Sequence, residues 1–192
     1  MELNTLIQEA RRCRICEAHL PLGPRPVFDV SPNNRIAVIG QAPGTVVHAS
    51  GIPWKDRSGD RLRDWMGIDE DVFYESEKLA ILPMGFCYPG KGKGGDLPPR
   101  KECAPQWHQP MLDHLPGIQV VLLIGAYAQA YYLGDRRKKN LTETVRNFEE
   151  YTPRFFPLVH PSPRNGIWLR KNPWFEENVV PALQEMIRAA LA

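Results

Sequence analysis

Four short apolar runs mark the chain, and each ends at or just before a glycine, a proline or a histidine. They span 35–40, 79–82, 119–124 and 155–159. Near-continuous apolar runs of this length are typical of strands that are buried on both faces of a parallel sheet. The pattern therefore predicts four mostly parallel strands.

Segments with helical spacing of apolar positions lie before, between and after these runs. The predicted helices cover Asn4 to about Arg12, 61–66, 103–115, 126–133 and 172–191. The second of them is expected to be capped near Ser58 or Asp60, because a side-chain oxygen there would satisfy the first free N–H groups. The stretches predicted as loops or turns are 17–34, 135–140 and the flexible, basic 91–99.

The alternation of strands and helices favours one architecture. A mostly parallel four-stranded sheet needs helices on both faces, which gives a three-layer α/β/α sandwich. We expect a single domain over residues 1–192. Ligands of such folds bind at the carboxyl ends of the strands. The residues that follow the predicted strands are Gln41, Pro83, Gly125 and His160.

Length and charge exclude several classes of protein. The 192 residues, 43% of them hydrophobic, suffice for a buried core without disulfides or a partner. The formal net charge of +2 excludes a histone-like polycation and a polyanionic tail, so nucleic-acid contacts would need local patches. No run reaches the roughly 18 apolar residues of a membrane helix, and the first ten residues lack the apolar core of a signal peptide. A cytoplasmic protein is expected.

The cysteines Cys13, Cys16, Cys87 and Cys103 are a candidate metal-binding set. The two residues between Cys13 and Cys16 allow both thiolates to reach one metal centre from a single turn. Cys87 and Cys103 would complete a shell of four soft sulfur ligands, which suits either zinc or an iron–sulfur cluster. The spacing alone leaves both metals open.

Three motifs carry candidate chemistry. The GQAPG sequence at 40–44 predicts a tight loop whose backbone N–H groups face a ligand. Trp54, which follows a proline in GIPW, is a stacking platform for a planar base. In HPSPRN at 160–165, His160 would donate a hydrogen bond to a leaving group, and the stiff loop would present Ser162 and Arg164 to phosphate. Ordinary turns and a core tryptophan are the alternative interpretations.

Together, in this order, the motifs resemble the uracil-DNA glycosylase superfamily. The closest match is to its iron–sulfur class, in which a CxxC near the N-terminus and two later cysteines hold a 4Fe–4S cluster. The segment GIPWKDRSG at 51–59 resembles the G-x-P-F-x-G-x-S-G segment of that class, with Trp54 at the stacking aromatic. HPSPRN is more similar to the second motif of the single-strand-selective class.

The resemblance implies hydrolysis of the bond between a damaged base, most simply uracil, and its deoxyribose, after the base has left the stack. His160 would donate to the base, and Gln41 would bind its edge or position water. The implied substrate-binding residues are Gly40, Ala42, Pro43, Gly44, Trp54 and Pro83. The implied DNA contacts are Ser162, Arg164 and Asn165, and the implied 4Fe–4S ligands are Cys13, Cys16, Cys87 and Cys103. The expected partner is DNA, bound by a monomer.

Two positions depart from the iron–sulfur class. Pro83 stands where that class has an asparagine that reads the uracil edge, and Gln41 stands where it commonly has glutamate. Because glutamine is no general base, Asp56 or Asp60 is the alternative base. These departures leave open a glycosylase for another base such as hypoxanthine and a non-catalytic nucleic-acid-binding module. A different hydrolase or transferase with zinc at the cysteines also stays open.

Overall fold

The computed structural model describes residues 2–192. The strands within that range are β1 (Ile36–Ile39), β2 (Leu79–Ile81), β3 (Lys91–Gly92), β4 (Gly95–Asp96), β5 (Val120–Ile124) and β6 (Phe155–Leu158). The main sheet has four of them, all parallel, in the order β2-β1-β5-β6, and β3 and β4 form a separate pair. The four-stranded parallel sheet predicted from the apolar runs is confirmed.

Helices cover both faces of this sheet. They are α1 (Leu3–Arg11), α2 (Thr45–Ser50), α3 (Arg57–Met66), α4 (Glu70–Glu75), α5 (Cys103–Leu112), α6 (Ala126–Leu133), α7 (Leu141–Arg146), α8 (Gly166–Lys171) and α9 (Val180–Leu191). None of the helices within residues 2–192 has the length and the apolar character that a membrane span requires.

The two faces of the sheet build two separate apolar clusters. Along β1, Ile36 and Val38 point to one side, where they pack with α3 and α9. Ala37 and Ile39 point to the other side, towards α1, α5 and α6. Because side chains alternate along a strand, each strand contributes to both layers and carries almost no polar residue. The three-layer α/β/α sandwich is thereby confirmed.

Some predicted boundaries were wrong. Helix α3 begins at Arg57 rather than Arg61, because Asp56 is the residue that caps it, its Oδ1 accepting from the Gly59 N–H at 2.9 Å. The predicted helix 172–191 is interrupted: a π-helical turn over Phe175–Val179 precedes α9. Helices α2, α4, α7 and α8 were not predicted, since six residues are too few to display a period.

The basic segment 91–99, predicted to be a flexible loop, contains a small antiparallel hairpin. Strands β3 and β4 pair Lys91 with Asp96 and Gly92 with Gly95. Gly95 has φ +148°, a backbone conformation that glycine adopts without strain. The hairpin holds this segment beside the carboxyl edge of the main sheet.

Candidate active site and thiol pocket

A cavity of about 490 Å³ opens at the carboxyl edge of the sheet. Its size is typical of a site for a small molecule or a single nucleotide. All of the residues to which a substrate or DNA role was assigned from the sequence line it: Gly40, Gln41, Ala42, Pro43, Gly44, Trp54, Pro83, His160, Ser162, Arg164 and Asn165. Gly125 lies beside it, where an added Cβ would be 3.9 Å from that of His160. Distant motifs therefore meet in one place.

The GQAPG loop is fastened to the segment that follows β2. The Gly40 carbonyl accepts from the Met84 N–H at 2.9 Å, and the Gln41 carbonyl accepts from the Gly85 N–H at 3.0 Å. Gly40 must be glycine because a Cβ there would lie 2.7 Å from the ring of Trp54. The loop and the tryptophan are consequently packed against each other without a gap.

Trp54 is held in an unusual backbone conformation. Its φ of 58° lies in the left-handed region, which a bulky residue seldom adopts. Arg63 Nη1 donates to the Trp54 carbonyl at 3.3 Å, and a Cβ added at Gly59 would overlap that carbonyl. The indole ring lies with its centroid 5.8 Å from that of His160. Strain of this kind is often retained where a side chain must be presented in a fixed place.

We expect Gly59→Ala to destabilise the protein by about 2 to 3 kcal/mol, because its Cβ would overlap the Trp54 carbonyl and force the loop to move. Unfolding in urea measures the change. Gly94→Ala is the matched control, since an added Cβ there meets nothing within 4 Å, and its effect should stay within about 0.5 kcal/mol. Equal stabilities of the two variants would contradict the described packing.

The tautomer of His160 follows from its hydrogen bond. The backbone N–H of Ser162 donates to His160 Nδ1 at 3.2 Å, so the proton of the neutral ring is on Nε2. Burial lowers the pKa of His160, and the carboxylate of Asp56 acts in the opposite direction. Asn165 Nδ2 donates to the His160 carbonyl at 2.7 Å. His160 is therefore a neutral N–H donor, and hydrogen bonds from Ser162 and Asn165 of the same motif hold it in place.

Two carboxylates line the cavity, Asp56 and Asp96. One oxygen of Asp56 caps α3, and the charge of Asp56 acts on His160. Asp60, the other carboxylate suggested from the sequence, lies outside the cavity and pairs with Arg63 at 2.7 Å. Asp96 escaped the sequence prediction. A Gly-Gly-Asp sequence is typical of a hairpin, so the turn could have been predicted. Its contact with the cavity could not, because no local pattern indicates it.

Arg164 ties the HPSPRN loop to this hairpin. Its Nη1 donates to the Gly94 carbonyl at 3.0 Å, and its backbone N–H donates to Ser162 Oγ at 3.2 Å. The Arg164 side chain thus spans the mouth of the cavity. Ser162 stabilises the turn that presents it.

The family model described as the uracil DNA glycosylase superfamily matches residues 28–184. The chain belongs to the uracil-DNA glycosylase superfamily. Members of this superfamily are DNA glycosylases and act on DNA. The matched range contains all three motifs of the cavity, together with Cys87 and Cys103.

The cavity wall at Pro83 is apolar, and a buried side chain holds it from the side away from the cavity. The Pro83 carbonyl accepts from Nε2 of His108 at 3.0 Å, and the Tyr132 hydroxyl donates to Nδ1 at 2.7 Å. His108 is 1% exposed, and burial lowers its pKa to about 4. The neutral ring therefore joins two partners in the core. Neither His108 nor Tyr132 was predicted, since no sequence pattern links them to Pro83.

The four cysteines line a second pocket on the α5 side of the sheet, with Arg100 and Trp107 also in its wall. All four are free thiols. Burial raises the pKa of Cys103 to about 12 and that of Cys87 to about 11, and the neighbouring thiols add to both shifts. The structure thus brings together cysteines that are up to 90 residues apart in the sequence.

Two backbone N–H groups interact with sulfur atoms of this pocket, and two side-chain N–H groups lie in its wall. The Phe86 N–H donates to Cys103 Sγ at 3.3 Å, and the Arg25 backbone N–H opposes part of the rise in the pKa of Cys87. Two further donors, Arg100 Nε and Trp107 Nε1, are buried without an acceptor. No group of three or more His, Cys, Asp or Glu residues within 2–192 is placed to hold a single metal ion.

Proposed function

We propose that this glycosylase hydrolyses the N-glycosidic bond of a deaminated base, uracil in the first place, in the course of base excision repair. The observation that carries the proposal is the neutral imidazole of His160 beside Trp54 and the GQAPG loop, in a cavity of nucleotide size. The enzyme is a monofunctional hydrolase in this scheme. A monomeric state and a cytoplasmic location stay predictions from the sequence.

His160 supplies the donor that the leaving base needs. When the bond between C1′ and the base breaks, the electron pair goes to the base, and negative charge develops on its oxygen. The Nε2–H of a neutral imidazole stabilises that charge by a hydrogen bond without giving up its proton. The bond from the Ser162 N–H to Nδ1 keeps the proton on the useful nitrogen.

Trp54 and the GQAPG loop form the site for the base. An enzyme that acts on a base in a duplex must first turn it out of the stack. The indole of Trp54 then offers a flat face, held rigid by Gly40 and Gly59. The amide of Gln41 has both a donor and an acceptor, which suits the imide edge of uracil. Gly40, Ala42, Pro43 and Gly44 line the same wall.

Asp56 is the residue that we assign to the attacking water. It lines the cavity, its charge acts on His160, and only one of its oxygens is described as capping α3. The free oxygen would accept a proton as water adds to C1′, and the negative charge would stabilise the cationic sugar. Asp56 would thus be the general base, a role that the amide of Gln41 cannot fill.

We expect Asp56→Asn to lower the rate of base release by about a hundredfold, because the base and its charge are lost. Asparagine still caps a helix, so the fold should be retained. Asp60→Asn is the matched control, since Asp60 pairs with Arg63 outside the cavity, and its rate should stay near that of the wild type. Single-turnover assays with saturating enzyme measure both. Similar losses in both variants would remove Asp56 from the chemistry.

DNA would be gripped by the HPSPRN loop. The mouth of the cavity is lined by Ser162, Arg164 and Asn165. Among the described residues, the guanidinium of Arg164 has one partner, the carbonyl of Gly94. Phosphate binds a guanidinium more strongly than a neutral carbonyl does. Arg164 would therefore leave Gly94 to contact the backbone or to fill the space of the flipped nucleotide.

We propose that the protein belongs to the iron–sulfur class, with a 4Fe–4S cluster held in the thiol pocket. Four free thiols share one pocket, and buried N–H groups in its wall lack acceptors that inorganic sulfide would supply. A zinc ion adds no acceptor atoms beyond the four thiolates, which it requires about 2.3 Å from one point, whereas a cluster adds four sulfides. Cys13, Cys16, Cys87 and Cys103 would hold the cluster. When bound, it would link the N-terminal segment to the loop after Pro83 and to α5.

The apolar wall at Pro83 favours a second candidate substrate. Proline has no side-chain donor and no N–H. This wall therefore does not distinguish bases by the hydrogen-bonding groups on their edges. Hypoxanthine, another deaminated base, would be tolerated there. Discrimination between the two candidates would rest on Gln41 and on the size of the cavity.

The test uses purified protein with single-stranded and double-stranded oligonucleotides that carry one uracil, hypoxanthine or xanthine. Treatment with alkali converts each released base into a strand break. We expect breaks at uracil, and breaks at hypoxanthine if the second substrate is also accepted. DNA binding that weakens with salt but yields no break with any base would instead indicate a non-catalytic binding module.

A further inference from the structure

Two buried N–H groups of the thiol pocket have no acceptor in the described part of the chain. They are Nε1 of Trp107 and Nε of Arg100, and both side chains line the pocket that the four cysteines share. Trp107 is 6% exposed. A buried donor without a partner costs about 1 to 3 kcal/mol, so nearly all such groups in native proteins are paired. Two unpaired donors in one pocket therefore indicate an acceptor inside it.

Both donors belong to side chains that lie beside the thiols. Trp107 lies four residues after Cys103 on α5, and residues at this spacing share one face of a helix. Arg100 is oriented by Glu102, whose Oε1 accepts from its Nη2 at 2.7 Å. Glu102 itself lies beside Cys16, with 3.8 Å between Oε2 and Sγ. Glu102 thereby fixes the guanidinium of Arg100, whose Nε–H has no acceptor.

We propose that Trp107 Nε1–H and Arg100 Nε–H donate hydrogen bonds to sulfur atoms of the iron–sulfur cluster and that they set its reduction potential and its retention. The inference rests on the proposed 4Fe–4S cluster. Hydrogen bonds to the sulfur atoms are among the factors that tune such clusters. A reduced cluster carries one more negative charge than an oxidised one, so a donor stabilises it more. Both donors consequently raise the potential.

The first variant is Trp107→Phe, which keeps an apolar ring in the core and removes only the N–H and part of the indole. Its matched control is Trp168→Phe. The Trp168 Nε1–H donates to Thr142 Oγ1 at 2.9 Å, in the cluster of side chains on the opposite face of the sheet. Both variants lose one indole N–H, but only Trp107 lies in the thiol pocket. Arg100→Lys is a second variant, which keeps a positive charge for Glu102 and lacks Nε–H.

The readouts are iron and acid-labile sulfide content, the midpoint potential and the rate at which visible absorbance is lost in the presence of a chelator. We expect a more negative potential and about fivefold faster loss in Trp107→Phe and in Arg100→Lys, the factor that corresponds to one neutral hydrogen bond. Trp168→Phe should match the wild type in both measurements.

Two results would overturn the inference, and they differ in what else they overturn. A wild-type protein purified without oxygen that holds neither iron nor sulfide removes the proposed cluster, and the inference with it. A wild-type protein with four iron and four sulfide whose potential and retention are unchanged in both thiol-pocket variants removes the inference alone.

Discussion

Replacing His160 by alanine is expected to lower the rate of base release by about a thousandfold, the loss seen when one donor to a developing oxyanion is removed. The variant should still fold and bind DNA, because the other lining residues of the cavity remain. His160→Gln is the matched variant, since it restores an N–H donor without an imidazole and should recover part of the rate. Single-turnover rates and DNA affinities separate these effects. A His160→Ala rate within threefold of the wild type would show that another group stabilises the leaving base.

The same residue predicts the acid side of the pH profile. Burial lowers the pKa of His160 below its usual value of 6.5, so the active neutral form persists as the pH falls through that value. At still lower pH Nδ1 would be protonated, and its N–H would face the Ser162 N–H. The hydrogen bond between Ser162 and His160 would then be lost. Activity should therefore decline only below pH 6.5. A decline that begins above it would contradict the neutral donor.

Replacing Cys103 by serine is expected to abolish iron and sulfide binding and to lower the free energy of unfolding by several kcal/mol. Cys103 begins α5, and its sulfur already accepts from the Phe86 N–H, so the cluster would connect α5 with the loop at Cys87 and the N-terminal segment. A group that binds only the folded chain adds its binding energy to stability.

Elemental analysis and urea unfolding measure the two effects in the Cys103→Ser protein. Met84→Leu is the control, because Met84 is buried in the same half of the core and lies outside the proposed ligand set. It should keep its metal and most of its stability. A Cys103→Ser protein with full iron content and unchanged unfolding would contradict the four-thiol centre.

The sheet and the lining residues of the cavity could be predicted from the sequence for one reason. Buried parallel strands leave a strong apolar signal, and the ends of such strands meet at one edge by topology. Gln41, Pro83 and His160 could therefore be assigned to one cavity without coordinates. Strand topology does not predict the grouping of the cysteines. That grouping was expected from the CxxC spacing, from the preference of soft metals for sulfur and from the resemblance, and the fold brings all four into one pocket.

What escaped prediction depends on contacts between distant segments. Asp96 reaches the cavity through a hairpin that Arg164 holds, and His108 reaches Pro83 across 25 residues. The start of α3 at Arg57 depends on Asp56, whereas the sequence offered Ser58 and Asp60 as equally good caps. Local propensity cannot choose among such neighbours, because each of them has a side-chain oxygen that can cap a helix.

The central claim is that the His160 cavity releases a base by hydrolysis and leaves the strand whole. Its most direct test is a single-turnover reaction of the wild-type protein with DNA that carries one uracil, in which free uracil and intact strand are both quantified before any alkali is added. The account predicts one free uracil for each alkali-sensitive site formed, in DNA that is unbroken until alkali is added, and loss of this release in His160→Ala. Strand breaks without free uracil, or equal release by wild type and His160→Ala, would contradict it.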